Sequence, residues 1–241
     1  MALRLLEDSN HYVAPQDVYN LLLLGHHVRR THWAKHTNGE LVCFGANCSG
    51  QCDVPPDLGP VVAVAAGNRH TCAVKTNGEL VCFGANCSGQ CDVPPDLGPV
   101  VAVAAGNRHT CAVKTNGELV CFGSNGLRVS ASELLWSCDV PPDLGPVVAV
   151  AAGLKHTCAV KTSGELVFFG DNTFRQCDVP PDLGPVVAVS AGVIHTCAVK
   201  PSGELVCINH ERNVPAGFKV LLQPDTHSQS STGGAAACES Q

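Results

Sequence analysis

Four histidines, His70, His109, His156 and His195, each open the same run, HTCAVK, and are the most conspicuous residues that could do chemistry. Imidazoles gathered about one axis could hold a metal or an anion. Their architectural use would be to hydrogen-bond the backbone of a neighbouring unit and fix the strand that each begins. The corresponding place in the first unit reads Thr31-His32, one residue out of step, which weakens a symmetric ligand ring. The 15 cysteines offer two sets of interest. Cys72/Cys82, Cys111/Cys121 and Cys197/Cys207 are predicted cross-strand neighbours, but the equivalent places elsewhere are Trp33/Cys43 and Cys158/Phe168. Positions that accept Trp or Phe read as core filled by small apolar side chains rather than as disulfide or metal sites. Cys48/Cys52 and Cys87/Cys91 have the C-x3-C spacing found among zinc ligands, yet Thr173 replaces the first Cys in a later repeat, so no metal is expected.

No catalytic constellation emerges. The chain has no G-x-S-x-G, no phosphate-binding P-loop and no H-E-x-x-H. A nucleophile needs one distinctive environment, and here Cys and His recur in equivalent ones. The formal net charge of −6, with no basic run longer than Arg29-Arg30, argues against direct binding of nucleic acid. Glu7, Asp8 and Asp17 interrupt the N-terminal region, and its apolar run Leu21–Leu24 is too short for a secretory signal or a membrane span. A cytoplasmic or nuclear location with free thiols is the expectation, and no cofactor is expected.

What must position these residues is a repeat. Residues Thr37–Lys75 recur identically as Thr76–Lys114. The turn glycines Gly39, Gly78, Gly117, Gly164 and Gly203 are spaced 39, 39, 47 and 39 residues apart, the longer interval arising from an expansion in Gly126–Ser137. Within a unit, HTCAVK-TNG-ELVCFG predicts a hairpin, with Gly78 left-handed in a three-residue loop. That register sets Val74 opposite Leu80 and Cys72 opposite Cys82 on one face, with Ala73 and Val81 on the other. Both faces are apolar, so both must be covered. Val61–Val64 supplies a third strand, and the Pro-Pro of DVPPDLGP can only connect units. A small sheet covered on both faces and repeated about every 40 residues predicts an all-β propeller. The non-repeat segment is 1–28, the propeller 29–222, and 223–241 has the composition of a disordered tail.

The frame AAGNRHTCAVKTNGELVCFGANCSGQ (Ala65–Gln90) resembles the repeat of the regulator of chromosome condensation family: Gly, two residues, His, an apolar strand, a Gly turn, a second strand, then aromatic-Gly, Asn and Gly-Gln. The short V-P linker is similar to the compact repeats of the bacterial β-lactamase inhibitor protein II. The resemblance implies a propeller and a structural use of the histidines. Phe44, Phe83, Phe122 and Phe169 stand where the family's Trp does. Family propellers typically have seven blades, whereas five hairpins are countable here, so about five to six blades are expected, in a closed or an incomplete ring. Phe218–Leu222 and Asn20–Leu24 are rival sources of a third strand for the first hairpin. An open arc would leave strand edges able to self-associate.

The expansion breaks the rhythm. Ser130-x-x-Glu133 resembles a capping box ahead of a helical turn, and Leu127, Arg128, Glu133, Leu134, Leu135 and Trp136 have the composition of a binding hot spot, with a folded-back insertion as the alternative. The expected function is a non-enzymatic scaffold for an unidentified protein partner. The resemblance implies the alternative of a regulatory propeller related to guanine-nucleotide exchange factors for small GTPases, or to the propeller part of HECT-type ubiquitin ligases.

Overall fold

In a computed structural model, residues 32–37, 39–124, 127–128, 134–135 and 138–209 are described, and they contain strands and turns. The rival third strands, both terminal segments, Glu133 and Trp136 lie outside them. No helix is long and apolar enough to cross a membrane among the described residues.

The repeat folds as an antiparallel three-stranded sheet because its hairpin is closed by a glycine. In the second unit β4 (His70–Lys75) pairs with β5 (Leu80–Gly84), and Gly78 takes φ 83°. Lys75 N donates to Glu79 O at 2.8 Å and Gly78 N to Lys75 O at 2.9 Å, closing the predicted loop. Cys72 faces Cys82, Ala73 faces Val81 and Val74 faces Leu80, as expected. The strand β3 (Val61–Ala66) adds to the other edge of β4, with a register shift between Val61 and Ala63. The pattern returns as β6 (Val100–Ala105), β7 (His109–Lys114) and β8 (Leu119–Gly123), and again as β11 (Val147–Ala152), β12 (His156–Lys161) and β13 (Leu166–Gly170). It closes with β14 (Ala188–Ala191), β15 (Thr196–Val199) and β16 (Leu205–Ile208). The Pro-rich linker delivers each first strand to the preceding turn, where Val100 N donates to Gly78 O at 2.9 Å.

The first blade departs from expectation. Among the described residues only β1 (His32–Thr37) and β2 (Glu40–Gly45) pair there, and their register is one residue off the others. Trp33 faces Phe44 and Ala34 faces Cys43, so the predicted Trp33/Cys43 pair is not made. The cause is the loop: Thr37 pairs directly with Glu40, leaving two residues where later blades use three. That slip brings His32 opposite Gly45, just as His70 is opposite Gly84, so His32 regains the step that its sequence position had lost.

Blades bury one another rather than themselves. Cys72, Val74 and Leu80 pack against Val103, Ala112 and Phe122 of the next blade, with Leu97 of the linker between them. The same arrangement joins the third blade to the fourth and the fourth to the fifth. First strands β3, β6, β11 and β14 contact one another in succession, so they line the inner side of the arc. The four three-stranded blades and the two-stranded one form an incomplete ring. No described residue precedes the first blade, and Phe44 is 57% exposed there, where the covered Phe122 is 9% exposed.

Because a Cβ at Gly78 would lie 2.7 Å from Pro99 Cβ while one at Gly98 would meet nothing, the two positive-φ sites separate backbone strain from crowding. Gly98→Ala is expected to cost about 1 kcal/mol and Gly78→Ala about 2–3 kcal/mol in urea denaturation; equal costs would refute the docking of turn on linker.

Candidate functional site: the inter-blade histidine row

The recurring histidines lie where strand two of each blade begins, beside a glycine that admits them. A Cβ on Gly106 would sit 2.4 Å from His109 Cε1 and 2.7 Å from Gly153 O of the next blade, so a side chain there would separate blades. With glycine in place the backbones meet, and Asn107 N donates to Gly153 O at 3.3 Å, Asn68 N to Gly106 O at 3.1 Å.

Each ring crosses to the neighbouring blade. His70 Nε2 lies 2.9 Å from Thr110 Oγ1, His109 Nε2 3.1 Å from Thr157 Oγ1, and His156 Nε2 3.0 Å from Thr196 Oγ1. Thr110 Oγ1 itself donates to Gln90 O at 2.8 Å, which uses its only proton. The hydroxyl must therefore accept from the imidazole, and His70 carries its proton on Nε2. The expected partner was backbone; the observed one is a threonine hydroxyl that passes the bond on to backbone. Thr71, Thr110, Thr157 and Thr196, together with buried Gln51, Gln90 and Gln176, are the residues missed by sequence reasoning. Their signal was available, since Thr follows His in all four copies.

Burial holds His109 and His156 neutral. His109 is pulled from 6.5 to about 4 by burial and then by His156. His156 is likewise pulled to about 4, first by burial, with Asp171 opposing and His195 adding to the effect. Asp171 is buried and accepts from Thr173 N at 2.9 Å, as well as from the Thr173 hydroxyl; it stands where Ala85 does in the second blade.

The cysteines require one correction. Cys72–Cys82, Cys111–Cys121 and Cys197–Cys207 are disulfides, with Cα atoms 4.1, 4.1 and 4.0 Å apart, and not the free thiols expected. The pairs sit directly opposite across the hairpin, where side chains converge. Phe168 opposite Cys158 fills the same space without a cross-link, so its tolerance there did not exclude one elsewhere. The C-x3-C residues do not act together: Cys52 Sγ turns to Ala46 O at 3.4 Å, whereas Cys48 is exposed beside Ser49. Burial, then Asp92, pushes the Cys91 thiol up to about 11, leaving it protonated and a poor ligand or nucleophile at neutral pH. No group of three or more His, Cys, Asp or Glu suited to a metal exists among the described residues.

The expansion forms its own small ribbon. β9 (Leu127–Arg128) pairs antiparallel with β10 (Leu134–Leu135), Leu134 facing Arg128 and Leu135 facing Leu127. Leu134 and Leu135 are thus strand residues and not the helical turn expected of them, since β-pairing with Leu127 and Arg128 has taken up their backbone. Among the described residues the ribbon joins no blade sheet, and it brings four of the six proposed contact residues together at the backbone level.

The regulator of chromosome condensation (RCC1) repeat matches residues 61–90, 100–127 and 147–176. No curated protein sequence matches the chain. Among solved structures, the ectodomain of the receptor kinase CR4 from Physcomitrella patens superposes with TM-score 0.60 at 19% identity, over 74% of this chain and 49% of that one. Human WBSCR16 gives 0.59 at 21% identity, over 73% and 58%. The structure of Kap60 bound to yeast RCC1 (Prp20) gives 0.52 at 17% identity, over 70% and 52%. At these identities the likeness is one of fold, and the chain spans about half the length of these relatives.

The folded imidazoles refuse protons that the unfolded chain accepts between pH 6.5 and about 4. Stability is therefore full above pH 6.5 and is lost as pH falls towards 4, at up to about 1.4 kcal/mol per pH unit for each of the two rings. The melting temperature should drop steadily between pH 7 and pH 5, and a flat profile there would contradict buried neutral histidines. Thr196→Val, which keeps shape but removes the acceptor of His156, should cost about 1–3 kcal/mol by chemical denaturation, with Thr196→Ser restoring most of it.

Proposed function

We propose that this chain, built from regulator of chromosome condensation (RCC1) repeats, is a non-enzymatic scaffold that binds a protein partner through the one place where its repeat is interrupted. The observation that carries this reading is the ribbon of β9 and β10, which inserts between two blades without entering either sheet. Three of the recurring histidines are meanwhile engaged with threonines, and six of the cysteines with one another. Leu127, Leu134 and Leu135 with Arg128, and Glu133 and Trp136 beside them in sequence, give the apolar and cationic mixture on which interface energy concentrates. Relatives of this fold do meet proteins, as the complex of Kap60 with yeast RCC1 (Prp20) illustrates for that protein.

The test is capture of partners by the intact chain and by one lacking Leu127–Trp136. Removing the ribbon should leave the melting temperature within a few degrees, because no blade sheet includes it, and should abolish recovery of the main partner. Equal recovery by both chains would refute the ribbon as the interface. In a nucleotide-release assay on small GTPases the chain is expected to leave the intrinsic rate unchanged; acceleration would favour the regulatory alternative.

A further inference from the structure

The turn rim of the arc, opposite the histidine rim, carries a feature that folding does not demand. In β3, β6 and β11 the register shifts at the second strand residue, and this bulge turns Val62, Val101 and Val148 away from the blade. Their neighbours Val61, Val100 and Val147 are buried, yet these three valines are 52%, 58% and 57% exposed. Val187, at the equivalent place in the last blade, is 43% exposed. A bulge re-aims a side chain, and the three re-aimed valines of successive first strands, with Val187 exposed just ahead of the fourth, form a row of repeated apolar positions along the arc.

The turn rim also carries a repeated groove. One copy, of about 440 Å³, is lined by Leu119 and Glu118 of a turn and by Val140, Pro141, Pro142 and Leu144 of the following linker. The same positions two blades earlier, including Leu41, Glu40, Pro55, Pro56 and Leu58, line another of about 510 Å³. Each linker has two exposed aspartates, and the second, Asp57, Asp96, Asp143 or Asp182, stands directly after its Pro-Pro. None of the four aspartates pairs with a cation among the described residues, whereas the lysines of this rim are taken by the glutamates of their own hairpins, as in Lys114–Glu118 at 2.9 Å.

We infer that this rim is a docking surface for an amphipathic basic segment of a protein partner, its apolar residues resting on the valine row and grooves and its Lys or Arg side chains meeting the linker aspartates. This rests on the scaffold reading but names a second surface and the chemistry of what it takes. Charge complementarity selects the occupant: an acidic segment would place carboxylates against unpaired aspartates, and an uncharged one would leave those aspartates unused.

The probe is a fluorescein-labelled peptide alternating Leu and Lys, titrated into the full chain and followed by anisotropy, beside its Lys→Glu counterpart. The basic peptide should bind and weaken as salt rises, and the acidic one should not bind. Val101→Ser with Val148→Ser, at exposed positions that leave melting unchanged, should weaken binding about tenfold. Asp96→Asn with Asp143→Asn should weaken it about threefold and flatten its salt dependence. Comparable affinity for the acidic peptide, or valine substitutions without effect, would overturn the proposal. So would a concentration-dependent dimer in sedimentation that the valine substitutions abolish, since the row would then serve a second copy. The two readings fail separately: no partner captured at all removes the scaffold and this surface with it, while capture that ignores both valines and aspartates removes the surface alone.

Discussion

A three-stranded sheet with apolar side chains on both faces cannot bury either face alone, and every other feature of this chain follows from that. Each blade lends one face to its predecessor and the other to its successor, and the linker leucines, such as Leu97, seal the seam. The side chains at the seam are small: Ala, Cys and Val dominate, so the backbones approach closely and polar groups at the inner end come within bonding distance. The histidine–threonine contact is the polar counterpart of that packing. It is buried, it crosses the seam, and it depends on the glycine three residues ahead of the histidine.

The end blades show what happens when the seam is missing. Phe44 and Phe122 occupy the same place in their sheets, but among the described residues only the second has a preceding blade against it. The first hairpin, two-stranded among the described residues, also has a different loop and register even though its turn sequence is identical to that of the next unit. Local sequence sets the hairpin, and its neighbours hold the register.

Much of this was legible beforehand. Period 39, the Asn-Gly turn and the alternation of Cys72, Val74 and Leu80 led directly to blade, register and covered faces, because each is a local rule repeated several times. The threonine partner of the histidines was not legible, because a bond from one blade to the next joins residues some 40 positions apart, as His70 and Thr110 are. The disulfides were misjudged for a related reason. Composition at equivalent positions says what fits a space, and the same space holds either two bonded sulfurs or Cys158 beside Phe168. The ribbon was misread as helical because a Ser-x-x-Glu spacing is a short signal, and cross-strand pairing of Leu127 and Leu135 overrode it.

The long interval carries a consequence of its own. His109 reaches Thr157 at 3.1 Å across a separation of 48 residues, and His70 reaches Thr110 at 2.9 Å across 40. The seam is indifferent to how much chain is paid out between the blades it joins. In evolutionary terms the linker is a site of growth, where new polypeptide can be tried without renegotiating the fold. The identical neighbouring units, in turn, allow whole blades to be gained or lost by unequal exchange, each change altering the reach of the arc by one increment while every remaining seam is conserved.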